Sequence, residues 1–453
     1  MMRIVIVGGG VVGFSLAEHL MYDNHDVSLV EKDPNVCRID GDRLDIKLVC
    51  GNGSSPRVLE AAGIEGADMV LAVTPVDELN IIVCAIARQY GIKSRIARIR
   101  SNEFRGRDAA IDIGKMGVTL VIDPEQVVVD SIIQYIETPG ASDASNFQEG
   151  NILVRAYQVT EDMPVANKTL SEIGKGLENQ PLLFVAAIRD GEGFIPHGDY
   201  LIEPGDEIYG IFQRDSIDTY LELFNQTRKD VKNVVITGDS LTAVQLADTL
   251  QNLVDKVVLV DPDAEHARQA ADILNNIDIV HGDCTESSIL KEVYVRNAQF
   301  FIAAAKETEY NVMSTLLARA EGAREVIAVS NEIRQDRLFN SIGIDHVIYP
   351  RLAIAREILE AIHRGQIGQV VRIRNLNIEA LRITAEENSP ITGKPLQHIR
   401  SKIQKGSIIS AILRDDEMII PDGNSVIEPG DQMIVITYTR HLSRVRKLFK
   451  SRK

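Results

Sequence analysis

An apolar run of strand length, Arg3-Ile4-Val5-Ile6-Val7, leads without a spacer into Gly8-Gly9-Gly10-Val11-Val12-Gly13 and then into a segment whose Leu16 and Leu20 recur at helical spacing. No other feature constrains the fold so far, because a strand, a tight turn and a helix in that order commit the chain to a βα unit. Gly8 permits the turn, Gly10 lets the main chain approach a pyrophosphate, and Gly13 allows the helix to pack close to the strand. The start of the helix, with Gly9, Val11 and Val12 around it, then offers unpaired main-chain N–H groups to phosphate oxygens. Glu31, eighteen residues past Gly13 at the end of a second apolar run, Val27-Ser28-Leu29-Val30, is placed to accept hydrogen bonds from ribose hydroxyls. A glycine-rich turn in an ordinary α/β protein is the alternative; strand, helix and acid together favour dinucleotide or nucleotide binding.

The segment continues as alternating strands and helices: a helix near Pro34-Asp40, a strand ending at Cys50, a helix over Pro56-Ala62, the strand Met69-Val73, a long helix Glu78-Tyr90, then strands at Arg95-Ile99 and Val118-Ile122. Six strands with intervening helices make a doubly wound parallel sheet, whose ligands sit at the carboxyl ends of its strands. Those ends carry Asn52, Thr74 and Arg98. Arg98 either meets phosphate charge or is a solvated arginine on a strand end. Thr74 is either a ligand contact or a plain helix cap.

The 453 residues exceed what one hydrophobic core organises, and no apolar stretch approaches the run of about twenty that a bilayer span needs. The first apolar run is too short for a signal-peptide core, so a cytosolic location is expected. Cys37, Cys50, Cys84 and Cys284 form no C-x-x-C pair and the nine histidines show no ligand spacing. Four reduced thiols, half or fully buried, and no metal site are therefore expected. A net charge of −16 and the lack of a helix-turn-helix pattern argue against a nucleic-acid partner.

Pro124 opens an apolar-rich helix through Ile136, and Thr138-Pro139-Gly140-Ala141-Ser142 breaks the chain. About 80 residues of short strands and turns follow, including Glu203-Pro204-Gly205-Asp206. From Val231 the chain then starts again. Gly238 lies 230 residues after Gly8 and Asp261 lies 230 after Glu31. Asp283 stands in His281-Gly282-Asp283, an echo of Cys50-Gly51-Asn52, and Pro350 restates Pro124. The small module recurs as well, with Glu428-Pro429-Gly430-Asp431 and Arg414 each 225 residues after their counterparts. The reading is an α/β chain of two doubly wound parallel-sheet (Rossmann-like) domains, each followed by a small β-rich α+β module. Its expected domains are residues 1–137, 147–228, 231–363 and 369–453. In the second fingerprint, Gly238-Asp239-Ser240-Leu241-Thr242-Ala243, Ser240 and Ala243 replace two glycines. Gly238, Ser240, Leu241, Thr242, Asp261 and Asp283 are the second set of candidate contacts, and binding there is altered, weakened or lost.

These residues resemble a known family. The nucleotide-binding halves look like the regulator-of-potassium-conductance (RCK, or KTN) domain, the β-rich modules look like its carboxyl-terminal companion, and two such pairs are similar to the TrkA-type peripheral subunits of Trk potassium-uptake systems. The resemblance rests on GGGVVG with Glu31, GNGSSPRVLEAAG, AVTPVDELN with Asn80 (echoed by Asn311), RIARIRS and the EPGD turns. It implies a cytosolic regulatory protein, peripherally attached to the inner face of the cell membrane through a Trk-type potassium-translocating subunit. It also implies NAD (NADH or NAD+) or ATP/ADP as ligand, and self-assembly as a dimer or tetramer. Asn52 departs from the acid that many members carry, as Asp283 does not.

The competing class is an NAD-dependent oxidoreductase. Such an enzyme needs a domain that brings an acid, base or hydride acceptor to the nicotinamide. The two small modules share no His, Lys or Cys at a matching position; His197 is answered by Asp422. A redox-sensing DNA-binding repressor is opposed by the acidity. The helices opened by Pro124 and Pro350 carry more apolar residues than one stripe requires, which suggests a face toward another subunit. The basic tail Arg440–Lys450 is read either as a terminal helix packed on its own domain or as a contact for anionic headgroups or the membrane partner.

Overall fold

The computed structural model describes residues 2–22, 25–40, 46–105, 109–147, 151–177, 180–227, 231–331, 339, 342–367, 370–372, 378–399, 406–414 and 417–450. The first sheet contains β1 (Arg3–Val7), β2 (Asp26–Glu31), β3 (Lys47–Cys50), β4 (Met69–Ala72), β5 (Ser94–Arg98) and β6 (Leu120–Ile122). All pair in parallel, in the order β3-β2-β1-β4-β5-β6. Ile4, Val5, Ile6 and Val7 are all buried, as are the four residues of β4, because helices cover both faces of a parallel sheet. The order reverses between β1 and β4, and the crevice where ligands bind such sheets opens at their carboxyl ends.

A five-stranded sheet follows: β7 (Asp143–Phe147), β8 (Ile152–Gln158), β9 (Leu182–Arg189), β10 (Glu192–Phe194) and β11 (Glu207–Gln213). It is antiparallel, in the order β10-β9-β11-β8-β7. The duplication then appears strand for strand. β12 (Asn233–Thr237), β13 (Lys256–Asp261), β14 (Asp278–His281), β15 (Phe300–Ala303), β16 (Glu325–Val329) and β17 (His346–Ile348) repeat the first order as β14-β13-β12-β15-β16-β17. β18 (Val370–Arg372), β19 (Ile378–Thr384), β20 (Ser407–Arg414), β21 (Glu417–Ile419) and β22 (Gln432–Tyr438) form the second antiparallel sheet. The expected fold class is thus the observed one.

Spatially the chain divides otherwise than in sequence. One compact unit holds Met1–Ile132 with Asp230–Leu359, and the other holds Ile133–Lys229 with Glu360–Lys453. Within the second unit, Val154, Ala156 and Ile211 of one small sheet share a buried cluster with Ala380, Ile434 and Ile436 of the other. Each module alone would leave that apolar face in water, so the pair is the folding solution. The break at Thr138-Pro139 is no free linker: Thr138 is buried, and its hydroxyl accepts from Arg155 Nε at 2.8 Å.

The carboxyl-terminal helix Leu442–Phe449 inserts Val445 and Phe449 into the core around Leu381 and Val435, which places the apolar side of the basic tail on its own module. Among the described residues no helix is long and apolar enough to cross a membrane.

One expectation fails. Cys37 and Cys50 are joined in a disulfide, with Cα atoms 6.1 Å apart, and Cys50 is exposed rather than buried. The helix Pro34–Asp40 lies along β3, so residues 13 apart in sequence become neighbours in a way that spacing does not reveal. Cys84 and Cys284 are free and buried, as expected.

Candidate functional site

At the end of β1 the chain turns at Gly8, whose φ of 111° is left-handed backbone that favours glycine. A Cβ on Gly13 would collide with the Gly8 carbonyl oxygen, so helix Val11–Tyr22 reaches the strand only because that position is bare. Nothing lies within 4 Å of where a Cβ on Gly10 would stand. The first helical bond runs from the Phe14 N–H to the Gly10 carbonyl at 2.9 Å, which leaves the N–H groups of Val11, Val12 and Gly13 ahead of it at the positive end of the helix. Val12 itself points inward and is buried, so only its main chain is available to a ligand.

Glu31 ends β2 beside this turn. Its Oε2 accepts the Gly9 N–H at 2.6 Å and its Oε1 accepts the Asp33 N–H at 2.8 Å. The turn, the open space over Gly10, the helix start and the half-exposed acid form a cradle that fits a pyrophosphate with an adjoining ribose. Asn52, after β3, uses its Oδ1 to accept from the Ser54 N–H and hydroxyl, both at 3.0 Å.

Thr74 does not cap the following helix; its hydroxyl bonds Asn80 Oδ1 at 2.7 Å. Asn80, fully buried on helix Asp77–Gln89, also accepts the Thr74 N–H at 3.0 Å and donates to the carbonyls of Thr74 at 2.9 Å and Arg98 at 2.8 Å. One amide therefore sets the spacing of the ends of β4 and β5. Asp77 Oδ2 takes the N–H groups of Arg100 and Ser101 at 2.9 and 2.8 Å, and Arg100 pairs with buried Glu125 at 2.6 Å. Arg98 is half-buried in this cluster rather than solvated. Burial foremost, then the nearby Arg100, draws its guanidinium below its ordinary value, against the pull of Glu125 and Asp77. A cleft of about 1030 Å³ opens beside the site, lined by Val76, Asp77 and Arg105 and, from the second domain, by Leu241, Gln245 and Asp248.

The second copy keeps the frame but engages more of its polar groups within the protein. Gly238 makes the turn, and Asn311 repeats the clamp, accepting from Ala305 N–H at 2.7 Å and donating to Ala305 and Val329 carbonyls at 2.9 and 2.8 Å. The Ser240 hydroxyl, however, donates to the Ala304 carbonyl and accepts the Ala243 N–H at 3.1 Å, taking a helix-start donor for the protein itself. Asp239 binds Lys306 through its main-chain N–H at 3.1 Å and its ammonium at 3.0 Å; burial opposes the charge, but these bonds hold its carboxyl below the usual carboxylate range. Asp261 is fully buried and bonded to Asp263 N–H and the His266 ring. Asp283 makes the same local turn as Asn52, at 2.8 Å to the Thr285 N–H. Leu241 exposes its side chain to the cleft, and Thr242 follows it on the helix.

The structure thus brings the glycine turn together with Glu31, through the Gly9 N–H, and with Thr74, which lies against Gly8, while Asn80 ties Thr74 to the end of β5. The sequence reading missed Lys306 and Asp77, which act through contacts with distant residues, and it missed that Ala305 and Val329 stand where the first copy has Thr74 and Arg98, a correspondence that aligning the repeat at Asn80 and Asn311 gives. Among the described residues no group of three or more His, Cys, Asp or Glu could hold a metal ion.

The family model described as the TrkA-N domain matches residues 4–124 and 234–350, and the TrkA-C domain matches residues 154–225 and 380–450. The chain is 30% identical over 454 residues to the Trk system potassium uptake protein TrkA of Azorhizobium caulinodans, and 31% identical over 454 residues to that of Halomonas elongata; each comparison covers 99% of both chains. Among solved structures, the GsuK channel superposes with a TM-score of 0.64 at 16% identity, over 98% of this chain and 78% of that one. The GsuK channel bound to NAD gives 0.62 at 16% identity, over 99% and 79%. At such identity the likeness concerns the fold.

Proposed function

The chain belongs to the TrkA family, with TrkA-N and TrkA-C domains in tandem, and from that premise we propose that it is a cytosolic nucleotide-binding regulatory subunit that gates potassium uptake by a Trk-type membrane transporter. The observation that carries this reading is the first-copy cradle: open space over Gly10, free helix-start N–H groups, and Glu31 held at the turn. NAD(H) lies with its pyrophosphate on Gly8–Gly13 and its ribose on Glu31, with Asn52, Thr74 and Arg98 along the rim; ATP or ADP shares the same phosphate contacts. The relatives named as potassium uptake proteins and the NAD-bound channel of like fold support this choice of partner and ligand.

The nucleotide acts by binding one arrangement of a symmetric dimer or tetramer better than another, and it is not turned over. A ligand moves an equilibrium only by its difference in affinity for the two states, so nucleotide affinity changes when the membrane subunit is present. Calorimetric titration of the purified chain with NADH, NAD, ATP and ADP, repeated with the membrane subunit in detergent, tests the reading. Affinity that is indifferent to the partner overturns gating, and steady hydride transfer from NADH to small carbonyl compounds, lost in Glu31→Ala, revives the oxidoreductase.

A further inference from the structure

We infer that Cys37 and Cys50 form a reversible thiol–disulfide site that regulates the first nucleotide site, an inference that rests on the nucleotide-binding reading above. The placement carries it. Cys50 is the residue directly opposite Glu31 in the β2–β3 register, and the next N–H, that of Gly51, donates to the Glu31 carbonyl at 2.7 Å. Cys37 lies one turn into the helix that starts just after Glu31 and Asp33, its N–H bonded to the Asp33 carbonyl at 3.0 Å and its Sγ 3.5 Å from the Glu31 carbonyl oxygen. The bond therefore staples the helix that follows Glu31 to the strand end opposite it, which leads into Asn52.

The duplication supplies an internal control. In the second copy Ala267 and His281 occupy the same places, Ala267 N–H bonding Asp263 and His281 pairing with Asp261. The cysteine pair accompanies only the copy that keeps all three fingerprint glycines, Gly8, Gly10 and Gly13. Disulfides in a reducing compartment are ordinarily transient and redox-sensing. Cys50 is exposed at a sheet edge and accessible to small thiols, whereas Cys84 and Cys284 are buried, their thiols pushed up to about 12 by burial, and stay inert.

Reduction runs by exchange. The thiolate of a low-molecular-weight thiol attacks Cys50 Sγ, and the Sγ–Sγ bond breaks with its electron pair leaving on Cys37. A second thiolate attacks the small-thiol sulfur of the mixed disulfide and releases Cys50. The small thiols leave as one disulfide, oxidised by two electrons, and their two protons end on Cys37 and Cys50. A low-molecular-weight disulfide drives the reverse. With the staple closed, the corner around Glu31 is already ordered and dinucleotide binding need not order it; with the staple open, binding carries that cost. By reciprocity, bound dinucleotide protects the disulfide by the same factor.

The test uses the full chain, oxidised with glutathione disulfide or reduced with dithiothreitol, with the linked Cys37–Cys50 peptides read by mass spectrometry and NADH affinity by calorimetry. Expected are the linked peptides, roughly fivefold or greater weakening of NADH on reduction, and the weakened value in both buffers for Cys37→Ser/Cys50→Ser. A glutathione titration followed by maleimide labelling should need a correspondingly more reducing mixture when NADH is present. Absence of the linked peptides overturns the site. Equal, measurable affinity in both states overturns the coupling and leaves nucleotide binding standing, whereas linked peptides with no NADH binding in either state overturn the nucleotide reading and the coupling together.

Discussion

The Glu31 carboxylate accepts the main-chain N–H of Gly9 at 2.6 Å, tying the acid at the end of β2 to the glycine turn at the end of β1. The acid thus shapes the glycine turn in addition to the ribose contact proposed for it. Its second oxygen holds Asp33, so the corner that leads to Cys37 depends on the same side chain.

Gly10→Val should abolish NADH binding, because the open volume over that position is where the pyrophosphate must approach. Glu31→Ala should weaken binding by about 1–3 kcal/mol, the scale of charged hydrogen bonds. Calorimetry on both variants checks the pair, and unchanged affinity in Gly10→Val would rule out this cradle.

Asn80→Ala should leave the N–H and carbonyl of Thr74 and the carbonyl of Arg98 without their partner. Each buried group left unpaired costs about 1–3 kcal/mol, partly relieved by relaxation, so a net destabilisation of about 2–4 kcal/mol is expected. Urea unfolding followed by circular dichroism measures it. Asn311→Ala should cost a similar amount; a loss below about 0.5 kcal/mol in both would show that the clamps are incidental.

The second cradle should stay closed to dinucleotide, since Ser240, Asp239 and Asp261 spend their bonding groups on the protein. Calorimetric stoichiometry should be one NADH per chain, falling to none in Gly10→Val. A value of two in the unaltered chain would show that Ser240 and Lys306 give way to ligand.

In the small modules Asp206 accepts two bonds from Arg189, at 2.6 and 2.7 Å, and one from the Tyr200 hydroxyl at 2.7 Å; Asp431 takes the same pair from Arg414 at 2.8 and 2.7 Å. Burial works against both charges, but the arginine and main-chain bonds prevail and hold both carboxyls below the ordinary 3.8. A depressed folded value means that the unfolded chain binds protons first. The stabilisation is therefore complete above about pH 5 and is lost as pH falls through 3.8 toward the lower folded values. Melting temperature between pH 6 and 3 should show this decline, and Asp206→Asn, weaker at neutral pH by about 1–3 kcal/mol, should flatten it. An unaltered slope in the variant would place the acid sensitivity elsewhere.

Much of the fold was legible because its signals are local. Strand ends at Cys50, Ala72 and Ile122 and the helices at Pro34, Asp77 and Pro124 fall within a residue or two of where apolar periodicity, proline and glycine put them. The duplication was legible because it preserves spacing: Gly8 with Gly238 and Asn80 with Asn311 keep their geometry as well as their order. Of the site, the glycine turn and Glu31 were readable, since a βα turn and the acid that follows it are set by neighbours in the chain.

What the sequence determined by itself is therefore the element order, the parallel sheets, the repeat and the place of the first cradle. Tertiary structure alone decided the rest, because it depends on which distant side chains meet. Cys37 meets Cys50 only once helix Pro34–Asp40, which carries Cys37, packs against β3. Lys306 reaches Asp239, in the second glycine turn, from 67 residues away. Arg155, which in a sequence reads as a surface residue, is fully buried with Thr138, the Ser145 carbonyl and Asn146 as partners, and burial pushes its guanidinium down to about 10. Desolvation and pairing act through space, and chain position carries no record of them until the segments are packed.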